Sequence, residues 1–111
     1  MLDMLRLVGV FVVGFAPVAL AGAQGPIVTL NDGVISPQTI EIPTGKAVTL
    51  TVSNTGDAAA EFESKRLRIE KIIASGKTMT IKLRPLPTGS YPFVEEFHGN
   101  LATAKGTIVV K

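Results

Sequence analysis

From Pro26 onward the chain alternates apolar and polar residues in short runs, and turn signals cut it at spacings of about 8 to 12 residues. This rhythm constrains the fold more than any other feature. Val48, Leu50 and Val52 alternate with Thr49, Thr51 and Ser53; Met79, Ile81 and Leu83 alternate with Thr78, Thr80 and Lys82; Ile40 and Ile42 alternate with Thr39 and Glu41. Successive side chains of a strand point to opposite faces, so each run has one face to bury and one to wet. Asn31-Asp32-Gly33, Pro43-Thr44-Gly45-Lys46, Asn54-Thr55-Gly56-Asp57 and Ser75-Gly76-Lys77 supply the turns, and Pro85 to Ser90 is a turn-rich loop. Further strands are expected from Pro26 to Leu30, from Ala58 to Ser64, around Leu67 and Ile69, from Tyr91 to Val94 and from Gly106 to Val110. Glu95 to Thr103 reads as a loop. Helical periodicity is absent, apart from one turn near Arg68 to Ala74. About seven or eight short strands of this kind predict an all-β sandwich or barrel.

The stretch before Gln24 has another character. Leu7 to Leu20 is apolar or small throughout, Arg6 precedes it, and Ala19-Leu20-Ala21 and Ala21-Gly22-Ala23 follow. A charged start, a short apolar run and an A-x-A site describe a secretory signal peptide. Residues 1–23 are therefore expected to be removed, with cleavage after Ala21 or Ala23. The mature domain is 24–111 and its compartment the periplasm. The apolar run falls short of the roughly 20 residues that a membrane-spanning helix needs.

Composition narrows the chemistry. The chain has 111 residues, enough for one domain. The net charge is +2, too mild to argue for nucleic acid, and one Tyr with no Trp gives no base-stacking platform. There is no cysteine. That removes disulfides, iron–sulfur clusters, redox dithiols and every thiolate-bound metal. Nucleophile elbows, phosphate loops and H-E-x-x-H are absent too, so no enzyme is expected.

Four segments, in this order and spacing, resemble cupredoxins. They are Ile40-Glu41-Ile42-Pro43-Thr44-Gly45-Lys46-Ala47-Val48, Val52-Ser53-Asn54, Pro87-Thr88-Gly89-Ser90-Tyr91-Pro92-Phe93 and Gly106-Thr107-Ile108-Val109-Val110. The resemblance implies a cupredoxin-like antiparallel Greek-key β-sandwich. In the family a cysteine follows the aromatic strand, a histidine comes three residues later, and a methionine often comes after that. Here Glu95, His98 and Leu101 stand in those places, and the earlier histidine falls near Glu61 or Glu63. A blue-copper centre is thereby excluded. Glu61-Phe62-Glu63-Ser64 and Glu95-Glu96-Phe97-His98 look like EfeO-type cupredoxin-like domains, small periplasmic proteins of bacterial iron uptake. That likeness implies delivery of a metal to an inner-membrane iron permease or another periplasmic subunit.

The candidate metal ligands are Glu61, Glu63, Glu95, Glu96 and His98. Carboxylates favour hard or borderline cations and imidazole suits iron, copper and zinc, so Fe(III), Fe(II), Cu(II) and Zn(II) all stay open, with iron or Cu(II) the first choice because carboxylate-rich ligation favours the higher oxidation state. If Glu61 and Glu63 lie on a strand, they share one face and Phe62 takes the other. The resemblance then implies that all five ligands gather into one acidic pocket at one end of the sandwich. Two readings compete there. Carboxylates paired to Lys65, Arg66 or Lys105 would favour a metal-free docking module; carboxylates converging without a base would require a cation.

Overall fold

The computed structural model describes residues 25–111, and the expected leader, residues 1–23, lies outside them. Nine strands form: β1 Ile27–Asn31, β2 Val34–Ser36, β3 Thr39–Ile42, β4 Val48–Asn54, β5 Ala60–Ser64, β6 Ile69–Ile73, β7 Thr78–Leu83, β8 Gly89–Glu95 and β9 Lys105–Val110. They make two sheets, one in the order β2-β1-β4-β7 and the other in the order β3-β9-β8-β5-β6. The expected β-sandwich is therefore observed, with two departures from a purely antiparallel ladder. β1 runs parallel to β4, and β3 runs parallel to β9. The run expected over Thr39 to Ile42 is β3, and a short strand before it, β2, ends ahead of Pro37 and pairs in the other sheet. Arg68, with φ of 59°, ends the turn before β6, so Leu67 packs into the core from that turn and not from a strand.

The core lies between the sheets and follows the alternation. Val28, Leu30, Leu50, Val52, Ile81 and Leu83 come from one sheet, and Ile40, Ile42, Phe62, Tyr91, Phe93, Ile108 and Val110 from the other. Every one is at most 5% exposed, and each contributes about 1.5–3 kcal/mol by leaving water. Phe62 stacks on Phe93 with ring centroids 4.9 Å apart. Met79 packs against this cluster, as its alternating position predicts. Both sheets and their shared core are built from the described residues, 25–111.

Two turns position the end of the sandwich that holds Glu95 and His98. Asp32 and Gly33 join β1 to β2 with φ of 46° and 92°, the pair of positive angles that a two-residue hairpin turn demands. A Cβ on Gly33 would sit 2.7 Å from Leu101 Cδ1 and 3.1 Å from His98 Cβ, so the loop after β8 lies directly against this turn. Thr103 Oγ1 reinforces the contact by donating to the Gly33 carbonyl at 2.8 Å. Asn54 organises the second turn. Its side chain is buried, donates to the carbonyls of Ala58 and Ile73, and accepts from the Gly56 N–H, each at 2.9 Å. Asp32 accepts from the N–H groups of Asp57 and Ala58, tying the two turns together.

Candidate functional site

β8 ends in Tyr91-Pro92-Phe93-Val94-Glu95, and the alternation that buries Tyr91 and Phe93 carries Glu95 to the same inner face. Glu95 is 1% exposed and opposite Phe62 in the ladder. A carboxylate in that place needs donors. Its Oε1 accepts from the Glu61 N–H at 2.9 Å and from the Phe97 N–H at 3.1 Å. Its Oε2 meets Nδ1 of His98, whose side chain is 32% exposed. A short 3₁₀ turn, Glu96–His98, makes the second and third contacts geometrically possible, because it folds the chain back over its own N-cap residue.

Glu61, Glu63 and Glu96 lie elsewhere. β5 alternates, so Phe62 points into the core while Glu61 and Glu63 point to the outer face of the five-stranded sheet, as the sequence predicts. Glu61 stands opposite Ile72 of β6 and Glu63 opposite Glu70. Glu61 is 9% exposed. Burial pushes its carboxyl above the usual range, helped by a hydrogen bond to Glu70 and by the charges of Glu70, Glu63 and Glu96. The five residues expected to form one pocket therefore divide in two. Glu95 and His98 meet on the inner side of the sheet end, whereas Glu61, Glu63 and Glu96 face outward with Glu70. The physical reason is local: the two-residue period of β5 turns Glu61 and Glu63 away from the inner face that Phe62 shares with Glu95, and the chain leaves the strand for the 3₁₀ turn at Glu96. Among the described residues no group of three or more His, Cys, Asp or Glu side chains is placed to hold one ion.

Two of the bases that could have neutralised the outer carboxylates, Arg66 and Lys105, are engaged otherwise. Arg66 lies 4.3 Å over the Tyr91 ring and donates to the Ser90 carbonyl. Lys105 Nζ donates to the carbonyls of Gly99 and Leu101. Among the described residues the acid–base contacts are Glu95–His98, ionic only when the imidazole is protonated, and the ion pair Glu41–Lys111. A groove of about 830 Å³ runs over this outer face, with Glu63 and Glu96 on its walls beside Lys65, Arg66 and Lys105.

Glu70 is the member that sequence reasoning missed. Its approach to Glu61 and Glu63 depends on the β5–β6 register, which no local pattern encodes. The cluster makes a stability prediction. A carboxyl whose folded pKa is raised stabilises the fold only while protonated, and that contribution is lost as pH rises through the folded value. As pH rises out of the acid range Glu61 therefore loses the stabilisation that its protonated form gives. Glu61→Gln is expected to raise the melting temperature at pH 7 by a few degrees. The gain should vanish below about pH 4, where carboxyls are protonated in both states. Calorimetry at both pH values checks this, and an equal gain at the two would contradict the charge account.

Two sheets, a buried core and a loop-borne imidazole at the end of β8 define a cupredoxin-type sandwich without a thiolate. The chain belongs to the cupredoxin-like domain family, whose model matches residues 5–110. It is 35% identical over 83 residues to an uncharacterized protein of Rickettsia prowazekii (strain Madrid E), spanning 75% of this chain and 65% of that relative's length. Among solved structures it resembles dithionite-reduced auracyanin from Roseiflexus castenholzii, with 18% identity and a TM-score of 0.61 over 79% of this chain and 97% of that one. A purple cupredoxin from Nitrosopumilus maritimus gives 18% and 0.57, over 78% and 99%. The metal-binding domain of the Cu(I)-exporting P-type ATPase CopA of Streptococcus pneumoniae, solved with Cu(I), gives 17% and 0.63, over 78% and 87%. At these identities the structural likeness establishes the fold alone.

The family's copper can be tested against the donors present. A thiolate centre does not fit, because there is no cysteine and Glu95 stands in its place with both oxygens engaged. A borderline ion taken through nitrogen fits at one atom, His98 Nε2. This atom makes no hydrogen bond among the described residues and belongs to a side chain that is one-third exposed.

Proposed function

We propose that this chain is an exported metal-handling protein that presents His98 to a transition-metal ion and passes that ion to a membrane transporter. The carrying observation is the buried Glu95 carboxylate on Nδ1 of His98. A carboxylate in that position holds the ring in one orientation and leaves Nε2 as the basic nitrogen, the arrangement that supports imidazoles bound to metals. Glu95 thus orients the ligand and is not itself one. Copper is favoured by the fold relatives, two of which are named as a cupredoxin and as a domain with Cu(I). Iron, with an inner-membrane iron permease as acceptor, is favoured by the EfeO-type resemblance of Glu61-Phe62-Glu63-Ser64 and Glu95-Glu96-Phe97-His98. The ion is cargo here, and the periplasm is the compartment that the leader sequence implies.

Calorimetric titration of residues 24–111 with Cu(II), Zn(II), Fe(II) and Fe(III) tests the reading. Binding tighter than about 100 μM, near −5.5 kcal/mol, that His98→Ala removes is the expected result. Uptake left intact in that variant would move the site elsewhere. A metal-free docking module is the second reading, and the mixed-charge groove over the outer sheet face favours it. Absence of binding by every ion would leave that reading standing.

A further inference from the structure

The carboxyls of Glu61, Glu63, Glu70 and Glu96 face outward from the five-stranded sheet, on the opposite side of its end from Glu95. The chain carries a net charge of +2, yet none of the four forms an ion pair among the described residues. Arg66 and Lys105 are held on a ring and on carbonyls. Lys71, the base of β6, stands opposite Phe62 in the ladder and so belongs to the other face. Lys65 shares the groove wall with Glu63 but pairs with no acid. Glu61 is the member under most constraint. It is 9% exposed, and the polar group its carboxyl reaches is Glu70, another acid. A buried carboxylate without a donor is costly, and what relieves that cost is a proton or a cation brought from outside.

The surroundings select the kind of cation. Among the described residues no group of three acids is placed to hold one metal ion. A guanidinium is larger and offers five N–H donors in one plane, so carboxylates set apart from each other can share it. Ile72 stands directly opposite Glu61 in the ladder, on the same face, and is 59% exposed. An exposed isoleucine beside a buried acid matches a side chain with an apolar stem and a cationic head: the stem covers Ile72 while the head meets the carboxylates. The surface continues past the acids. Glu63 is paired with Val94, and the groove of about 830 Å³ runs on from Glu63 and Glu96 over Pro92 and Val94. That extent suits a polypeptide segment and exceeds a small amine. We infer that this end of the outer face receives an arginine side chain of a partner protein, with the four glutamates around the guanidinium and Ile72 under its stem. Lysine fits less well, because its compact ammonium is more strongly hydrated and meets carboxylates at a single point. Nothing in this site depends on an ion at His98.

Titration of the ¹⁵N-labelled protein at pH 7 with a blocked peptide of alternating threonine and arginine, followed by amide shifts, tests the inference. The expected result is saturable shifts at Glu61, Glu70, Ile72 and Glu96, with a Kd below about 1 mM. The same peptide with citrulline, the uncharged counterpart of arginine, should not bind, and a lysine version should bind more weakly. Glu61→Gln should weaken binding about tenfold or more. Glu70→Gln, at an exposed position where the fold is not at stake, should do likewise. Ile72→Ser should weaken it less. Binding should fade below about pH 4, where the carboxyls take up protons. Equal binding by the citrulline peptide would overturn the proposal, as would an affinity unchanged in both glutamate variants or shifts confined to Lys65 and Arg66. Shifts reproduced by magnesium chloride at the same ionic strength would reduce the cluster to an unspecific acidic patch and overturn it too, and so would the absence of any shift at millimolar peptide.

Discussion

Glu95→Ala is expected to cost the domain about 3–5 kcal/mol, measured by urea unfolding at pH 7. The Glu95 side chain is 1% exposed and satisfies two backbone N–H groups, those of Glu61 and Phe97, besides the imidazole. Truncation leaves both N–H groups without an acceptor, at about 1–3 kcal/mol each, and opens a void beside Phe62. For a domain whose whole stability is of order 5–15 kcal/mol, this is a large fraction. His98→Ala should cost far less, because its ring is one-third exposed and water can reach the freed oxygen. Glu95→Gln should keep most of the stability while disturbing the site. Its amide oxygen can still accept the two N–H bonds, but its NH₂ would then face Nδ1 and force the ring proton to Nε2. Metal uptake should fall in that variant although the fold persists, and ring ¹⁵N shifts would record the change of tautomer. A loss below about 1 kcal/mol in Glu95→Ala would mean that water replaces the carboxylate on both N–H groups.

The sheets were legible because their cause is local. Val48-Thr49-Leu50-Thr51-Val52 and Thr78-Met79-Thr80-Ile81-Lys82-Leu83 announce their inner faces by alternation, and the structure pairs those two segments directly. The splitting of Glu61 and Glu63 from Phe62 followed from the same rule. The site was only half legible. The parity of Tyr91-Pro92-Phe93-Val94-Glu95 already places Glu95 on the buried face, yet the proximity of Glu95 and Glu96 in sequence invites reading them as one ligand pair. What no local pattern contains is the donor set around Glu95. The Glu61 N–H comes from another strand, and only the β5–β8 register delivers it. Glu70 was invisible for the same reason, since it joins Glu61 and Glu63 through the β5–β6 ladder. Lys65, Arg66 and Lys105 show the converse: sequence offers them as partners for the acids, but a nearby ring and nearby carbonyls already hold Arg66 and Lys105.

Asn54→Ala is expected to be about as destabilising as Glu95→Ala, near 3–5 kcal/mol in the same unfolding measurement. Asn54 is 1% exposed and uses both ends of its amide. Nδ2 bridges the carbonyls of Ala58 and Ile73, on either side of β5, and Oδ1 closes the turn onto the Gly56 N–H. One side chain in the four-stranded sheet thus fastens the crossover to the five-stranded sheet. Alanine removes the amide's hydrogen bonds to two carbonyls and one N–H, two of the three in buried surroundings where water does not replace them. Asn54→Asp discriminates between shape and hydrogen bonding. It keeps the Gly56 acceptor but sets a carboxylate against two carbonyls, so it should be at least as damaging as alanine although its volume is almost unchanged. The consequence extends to the metal-site end, because Asp32 links this turn to the Gly33 hairpin on which His98 rests. Faster amide exchange at Gly56 and at Phe97 in Asn54→Ala would show that the two ends of this chain of contacts loosen together. Exchange that quickens at Gly56 alone would confine the role of Asn54 to its own turn.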